Sequence, residues 1–334
     1  AIANDVHGKN HHRDGSFSRF VRSFELLTPG GEVLTCSPEQ NADVFWATVG
    51  GVGLTGFILT ARLELLPVES AYIKADYLRA KNLDEALAAM AERDQHYQYA
   101  VAWVDCLASG KDLGRSVLMW GDHARVEDLK NGSLPLGAPQ ARPLAIPIDF
   151  PACALNPLSI KAFNTLFYAA HPRVEGKLVD YDRYFYPLDR ILDWNRMYGK
   201  RGFVQFQATV PLDGVDQLAQ LLDVLGRSAR ASFLSVLKRF GDAGEGLLSH
   251  PIPGYTLTLD LPNKRGAMGF LDELHRIVLD AGGRVYLAKD AAVKANMIAE
   301  MYPRLDEFRE VQARLDPDGV LSSSMARRLD LVGG

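Results

Sequence analysis

Two segments alternate apolar and polar residues at every second position, and a third is read by the same parity. In 203–211, Val204, Phe206, Ala208 and Val210 alternate with Gln205, Gln207 and Thr209. In 255–262, Tyr255, Leu257, Leu259 and Leu261 alternate with Thr256, Thr258 and Asp260. In 231–240, Lys238 shares parity with Val236, Leu234 and Ser232. A period of two sends alternate side chains to opposite faces of a strand. If helices cover the apolar face, the other presents amides, hydroxyls and one lysine. Solvent is the usual neighbour of such a face. Glutamine and threonine in place of the commoner Lys and Glu suit a hydroxyl-rich ligand equally well, and both readings stay open.

The rest of the pattern supplies helices to pair with those strands. Residues 82–94 are amphipathic with Asn82 as N-cap. Helices follow at 214–226 and 267–281, the second closed by Gly282-Gly283. Segments 97–107 and 115–122 read as further strands. Nearer the start, 23–28 and 32–37 form a hairpin around Pro29-Gly30-Gly31, and 57–66 is a strand. Ser37-Pro38-Glu39-Gln40 fits a capping box that opens a helix running to about Ala47. Six prolines between 131 and 160 predict a long surface excursion over a cleft, without long regular elements. The last segment reads as a strand at 284–290 and a helix broken near Pro303. The fold class is α+β, with an antiparallel sheet backed by helices.

Composition narrows the function classes. The 334 residues are 47% hydrophobic and 23% charged, ordinary for a globular protein of about two domains. A formal charge of −4 gives no global electrostatic case for nucleic acid. No apolar run reaches the roughly 20 residues that span a bilayer. Cys36, Cys106 and Cys153 are far apart, and read as reduced structural thiols.

Candidate chemistry is sparse when motifs are taken singly. Gly51-x-Gly53-x-x-Gly56 matches the dinucleotide fingerprint, but a helix precedes it and a strand follows, the reverse of what a pyrophosphate site needs. His7, His11 and His12 invite a metal, yet Gly8 and Gly15 break the helix that would align them. The run 1–17 is rich in small residues, amides and imidazoles, and suits backbone held against a large polar ligand. Lys289 lies at a strand end, and Arg327-Arg328 reads as a surface pair.

Taken together and in order, these segments carry a resemblance. "AIANDVHGKNHHRDGSF", "FELLTPGGEV", "FWATVGGVGLTGFILTARLELLP", "YPLD", "WNRMYG", "GFVQFQ", "HPIPG", "AKD" and the terminal "YPRLDEFREVQARLDPDGVLSSSMARRL" resemble the FAD-linked oxidases of the vanillyl-alcohol oxidase / p-cresol methylhydroxylase superfamily. The likeness is nearest to the branch that oxidises the 2′-hydroxyl of decaprenylphosphoryl-ribose as the flavin half of an epimerase. It implies a split FAD-binding domain, residues 1–70 and 284–334, around a substrate domain at 71–283. It implies FAD contacts from Asn4, Asp5, Val6, His7, Lys9, Ile58, Tyr286 and Lys289, with Lys289 and His7 as the catalytic candidates. Trp103, Tyr186, Trp194, Asn195, Gln205, Gln207, Lys238 and Thr258 would line the substrate cleft. A sugar or polyprenyl-phosphoryl sugar substrate, an NADH-dependent reductase partner, and a cytoplasmic or inner-membrane peripheral location follow. Relatives can carry Asn and Cys where this chain has Thr256 and Thr258, which excludes thiol chemistry at that wall. The family's glycine-rich pyrophosphate loop lies upstream of Ala1, so an incomplete FAD domain, weak or absent FAD and no activity are expected of this chain by itself. An aldonolactone or alditol oxidase is the alternative within the same class.

Overall fold

The protein is described by a computed structural model covering all residues except 130–133, 138–143, 152–153, 189, 229, 231, 233 and 333–334. Cys153 lies outside the described residues. The first three strands, β1 (Val21–Leu27), β2 (Val33–Cys36) and β3 (Phe57–Leu63), form a small antiparallel sheet in the order β2-β1-β3. The hairpin is as expected. Ser37 does not open a helix: its hydroxyl accepts from the N–H groups of Glu39 and Gln40 in a turn. Asn41 then adopts φ 50°, outside the helical region, and the helix begins only at Ala42 and runs to Thr48. Strand β3 leaves Phe57, Leu59 and Leu63 exposed.

Next in the chain come β4 (Tyr72–Ala80), β5 (Tyr99–Val104), β6 (Ser116–His123), β7 (Leu144–Ala145), β8 (Val174–Asp180), β9 (Ile191–Leu192), β10 (Phe203–Pro211), β11 (Ser235–Phe240), β12 (Gly254–Pro262) and β13 (Arg284–Val285). Strands β7 and β9 make a short parallel pair, and the other eight build one sheet in the order β13-β10-β12-β11-β5-β6-β4-β8. All of its pairings are antiparallel. Strand β13 is two residues long, because Leu287–Lys289 turn into a 3₁₀ helix where a continuing strand was expected.

Helices Val215–Arg227 and Ala267–Asp280 lie on one face of this sheet. Their leucines (Leu218, Leu221, Leu271 and Leu274) join Phe206, Ala208, Leu257 and Leu259 in the main core. The expected helices at 214–226 and 267–281 are therefore present. So is the Asn82-capped helix, whose cap accepts from Glu85 N–H at 2.9 Å. A further helix, Pro157–Ala170, begins at the last of those prolines and runs mostly beyond the segment expected to lack long elements. Pro157 sits at its first position, where a missing N–H costs no hydrogen bond. Asn156 caps it by accepting from Leu158 and Ser159 N–H. Among the described residues no helix is long and apolar enough to cross a membrane.

Candidate active site

The register puts the polar residues of the alternating strands on a single face. Gln207 pairs with Thr258, Gln205 with Asp260 and Thr209 with Thr256. Thr256 in turn faces Lys238, and Thr258 faces Val236, which faces Trp103. This face is not open to solvent, since Gln207, Thr209, Thr256, Thr258 and Asp260 are all buried. What covers it is the N-terminal segment.

That segment is held by backbone and by one carboxylate. Ile2 O and Ala3 O accept from Gly50 and Val52 N–H, and Lys9 O accepts from Ala100 N–H beside the end of β11. Asp5, fully buried at φ 39°, accepts from Ser18 N–H at 3.1 Å and Ser249 Oγ at 2.7 Å. Asn4 O accepts from the Tyr286 hydroxyl at 3.0 Å. The loop at 50–56 thus spends its N–H groups on the chain itself: Gly51 donates to Thr48 O and Leu54 to Gly51 O.

His7 is pressed against the polar face. Gln207 Nε2 donates to His7 Nε2 at 2.7 Å and to Thr256 Oγ1 at 3.1 Å. An imidazole nitrogen that accepts leaves the proton on the other, so the network assigns His7 the Nδ1–H tautomer. That Nδ1 is buried with no partner among the described residues. Burial, reinforced by Lys238 and His250, holds the His7 pKa well below its ordinary value, so the ring is neutral. Around it stand Phe240 at 4.7 Å, Tyr286 at 5.1 Å and His250 at 5.7 Å between ring centroids. His11 receives a hydrogen bond from Gly241 N–H, and His12 bonds to Tyr97 O. Among the described residues no group of three or more His, Cys, Asp or Glu could hold a metal.

Lys289 and Asp260 form the second part of the site. Gln205 Nε2 donates to Asp260 Oδ1 at 2.9 Å, while Asp260 Oδ2 is buried without a partner. Burial raises the Asp260 pKa, and the nearby Lys289 charge opposes that rise. Burial lowers the Lys289 pKa, and Asp260 opposes that fall. Each charge thus offsets part of the effect of burial on the other.

Strand β11 then leads from this polar floor into a cavity of about 520 Å³. Lys9, Lys238, Trp103, Phe167, Tyr184 and Tyr186 are among its lining residues. The structure therefore brings Lys9, Trp103, Tyr186 and Lys238 to one cavity, and His7, Gln205, Gln207, Thr258, Tyr286 and Lys289 to the adjoining floor. Asn4, Asp5 and Val6 enter through backbone and the buried carboxylate. Ile58 lies elsewhere, in the small sheet opposite Leu26. Trp194 lies at the edge of the floor, 5.1 Å between ring centroids from Phe203, which shares strand parity with Gln205 and Gln207, and Asn195 is exposed beside it. Sequence reasoning missed Asp260 and His250 as site residues. Asp260 had a signal, since it shares parity with Thr256 and Thr258. Arg328 pairs with Asp290 at 2.5 Å, away from the polar face, and Arg327 donates to Ser322 Oγ. Cys106 is buried, and its thiol is pushed up to about 12 by that burial, consistent with an inert structural role.

The donors on this face suit a planar heterocycle with acceptor atoms along one edge. Such an edge would satisfy the orphaned His7 Nδ1–H and meet the Lys289 ammonium, so the residues fit the ring end of a flavin.

The comparisons define the class. The family model described as D-arabinono-1,4-lactone oxidase matches residues 260–329, the stretch that holds Asp260, Tyr286 and Lys289. The chain belongs to the FAD-linked oxidase family that contains the decaprenylphosphoryl-β-D-ribose oxidase of Mycolicibacterium smegmatis. It is 41% identical to that protein over 338 residues, which cover 99% of this chain and 73% of the relative. It is also 37% identical to an uncharacterised protein from the mprA 5′ region of Streptomyces coelicolor, across 99% of this chain and 92% of that one. Cytokinin dehydrogenase 9 of Oryza sativa subsp. japonica is 34% identical over 86 residues, 25% of this chain and 16% of that enzyme.

Proposed function

We propose that the protein oxidises a secondary hydroxyl of a polyprenyl-phosphoryl pentose with FAD as the hydride acceptor. One observation carries this reading: a buried array of His7, Gln207, Asp260 and Lys289 on one sheet face, in a chain 41% identical to a decaprenylphosphoryl-β-D-ribose oxidase. FAD, when bound, supplies the redox chemistry; the protein supplies orientation and electrostatics. Lys289 Nζ stabilises the negative charge that develops on the substrate oxygen as its proton passes to a water polarised by that ammonium. Asp260 is a positioning residue whose charge favours the protonated amine and offsets part of the cost of burial. His7, held neutral, donates from Nδ1 without adding a positive charge. Gln205, Gln207 and Thr258 offer the hydrogen-bonding groups that sugar hydroxyls need.

In the same reading, 1–70 with 284–334 hold the flavin and 71–283 the substrate. Support comes from helix Ala42–Thr48 packing on helix Leu305–Leu315, with Asp43 paired to Arg314. A ketone product would pass to an NADH-dependent reductase, and a polyprenyl tail would hold the protein at a membrane surface.

An aldonolactone or alditol oxidase is the second reading, favoured by the lactone-oxidase match at 260–329. The apolar cavity next to the polar floor weighs against it, because a free polyol has nothing to fill that space. The test is anaerobic mixing of FAD-loaded protein with farnesylphosphoryl-ribose, free alditols and aldonolactones. Bleaching of the flavin by the lipid-linked sugar supports the first reading. Bleaching by the free polyols or lactones alone supports the second, and no bleaching overturns both.

A further inference from the structure

From the side chains of one sheet face, the structure assigns an anion subsite, formed by Lys9 and Lys238, that holds the phosphate of a prenyl phosphate whose hydrocarbon enters the adjoining aromatic cavity. This deepens the proposed function and rests on it for the sugar end alone.

The argument is one of order across the sheet. On β10 and β12 the face carries Gln205, Gln207, Thr256, Thr258 and Asp260. On β11 it carries Lys238, followed by Val236. Beyond lie Trp103, paired with Val236, and then Val101 on β5, Met119 on β6 and Tyr77 on β4, the last three in direct register. Strands lie about 4.8 Å apart, so these five steps span roughly 24 Å. Hydrogen-bonding groups, then an ammonium, then aromatic and aliphatic side chains succeed one another along that line. A sugar, a phosphate and a prenyl chain are joined in the same order.

The two lysines lack the partners that buried cations ordinarily have. Lys9 Nζ donates to the carbonyl of Tyr184 and lies 4.3 Å from the centre of the Tyr184 ring. Lys238 Nζ lies 5.7 Å from the centre of the Phe240 ring. Neither forms an ion pair among the described residues, and no Asp or Glu lines the cavity they share. Arg183, the other cation of the lining, is already paired with Asp180 at 3.1 Å. Burial pulls Lys9 down to about 8 and Lys238 down to about 7, the latter also repelled by Lys289 and Lys9. A phosphate between them relieves both the desolvation and the mutual repulsion. The far walls, Phe163, Phe167, Phe185 and Leu188, offer only hydrocarbon.

Isothermal titration with farnesyl phosphate, farnesol and inorganic phosphate tests this without sugar or redox chemistry. Farnesyl phosphate is expected to bind at least ten-fold more tightly than either half alone. Lys9→Met and Lys238→Met should each weaken it roughly ten- to a hundred-fold while leaving farnesol unchanged, and Lys9→Arg should restore part of the loss. Equal affinity for farnesol and farnesyl phosphate, or full affinity in both Met variants, overturns the anion subsite. Equal affinity for inorganic and farnesyl phosphate overturns the assignment of the cavity to the hydrocarbon. Should the Met variants fail to fold, the ligand series on the unaltered protein decides. Farnesyl phosphate binding without flavin bleaching by a lipid-linked pentose would leave this subsite standing and remove the oxidation reading alone.

Discussion

Around β12 the two faces of the large sheet are both buried, but by different means. On one, Phe206, Ala208, Leu257 and Leu259 pack against helices that supply only more hydrocarbon. On the other, Gln205, Gln207, Thr256 and Asp260 lie under the N-terminal segment and bond to one another and to His7. Each face also touches a buried histidine kept neutral by desolvation. His275 stacks near Phe206 at 5.7 Å and is pulled down to about 4, while His7 meets Gln207. Burial and a lowered pKa therefore do not separate scaffold from site. Nor does a single unmatched nitrogen, since His275 Nδ1 on the packed face also lacks a partner among the described residues. What sets the polar face apart is the gathering of such groups: His7 Nδ1, Asp260 Oδ2 and two lysines without carboxylates lie on it or in its cavity.

That contrast can be broken by single substitutions. The largest effect is expected from Phe206→Ala on the packed face. Phe206 is 1% exposed and pairs with Leu259, so the cavity left behind should cost about 3–5 kcal/mol in denaturant unfolding. The folded fraction should retain its affinity for farnesyl phosphate. Lys289→Ala on the polar face should do the reverse. Flavin reduction by substrate should slow by about 10²-fold or more, roughly 2.7 kcal/mol of barrier, while the unfolding midpoint stays close to that of the unaltered protein. A Lys289→Ala variant that reduces flavin at the unaltered rate would remove the lysine from the mechanism.

The packed face and the polar floor were legible in sequence for one reason. Strict alternation in 203–211 and 255–262 fixes which residues point together before any neighbour is known. Strands β4 and β8 escaped because their apolar positions are broken by charged residues, as Lys74, Asp76 and Arg79 show. Helix Pro157–Ala170 escaped because its proline was taken as a breaker although it stands at the one turn that tolerates it. The resemblance named Trp103, Tyr186 and Lys238 for a cleft, but its aromatic wall could not be read, since it needs helix Pro157–Ala170, Tyr77 of β4 and the long-range approach of Lys9. The resemblance supplied His7, Tyr286 and Lys289, whose spacing alone carries no chemistry. It also supplied Ile58, which the fold places in the small sheet opposite Leu26.

The smallest expected effect sharpens the comparison at the boundary between floor and cavity. Helix Pro157–Ala170 presents Phe163 and Phe167 to the cavity, with Phe167 4.6 Å from the Trp103 ring. Its start is fixed by Asn156, which accepts from Leu158 N–H at 2.9 Å and Ser159 N–H at 3.2 Å. In return Ser159 Oγ accepts from Asn156 N–H at 3.1 Å. Farther along, Asn164 Nδ2 donates to Asp105 Oδ1 at 2.6 Å and pins the helix to the sheet's end. Removing the cap in Asn156→Ala should cost about 1 kcal/mol of helix stability. Because Asn164 still anchors the middle of the helix, the loss should appear as fraying of the first turn. Farnesyl phosphate should then bind a few-fold more weakly, while inorganic phosphate binds as before. Equal weakening of both ligands would mean that the helix supports the lysines and not the hydrocarbon wall, and the division of the site into floor and cavity would have to be redrawn.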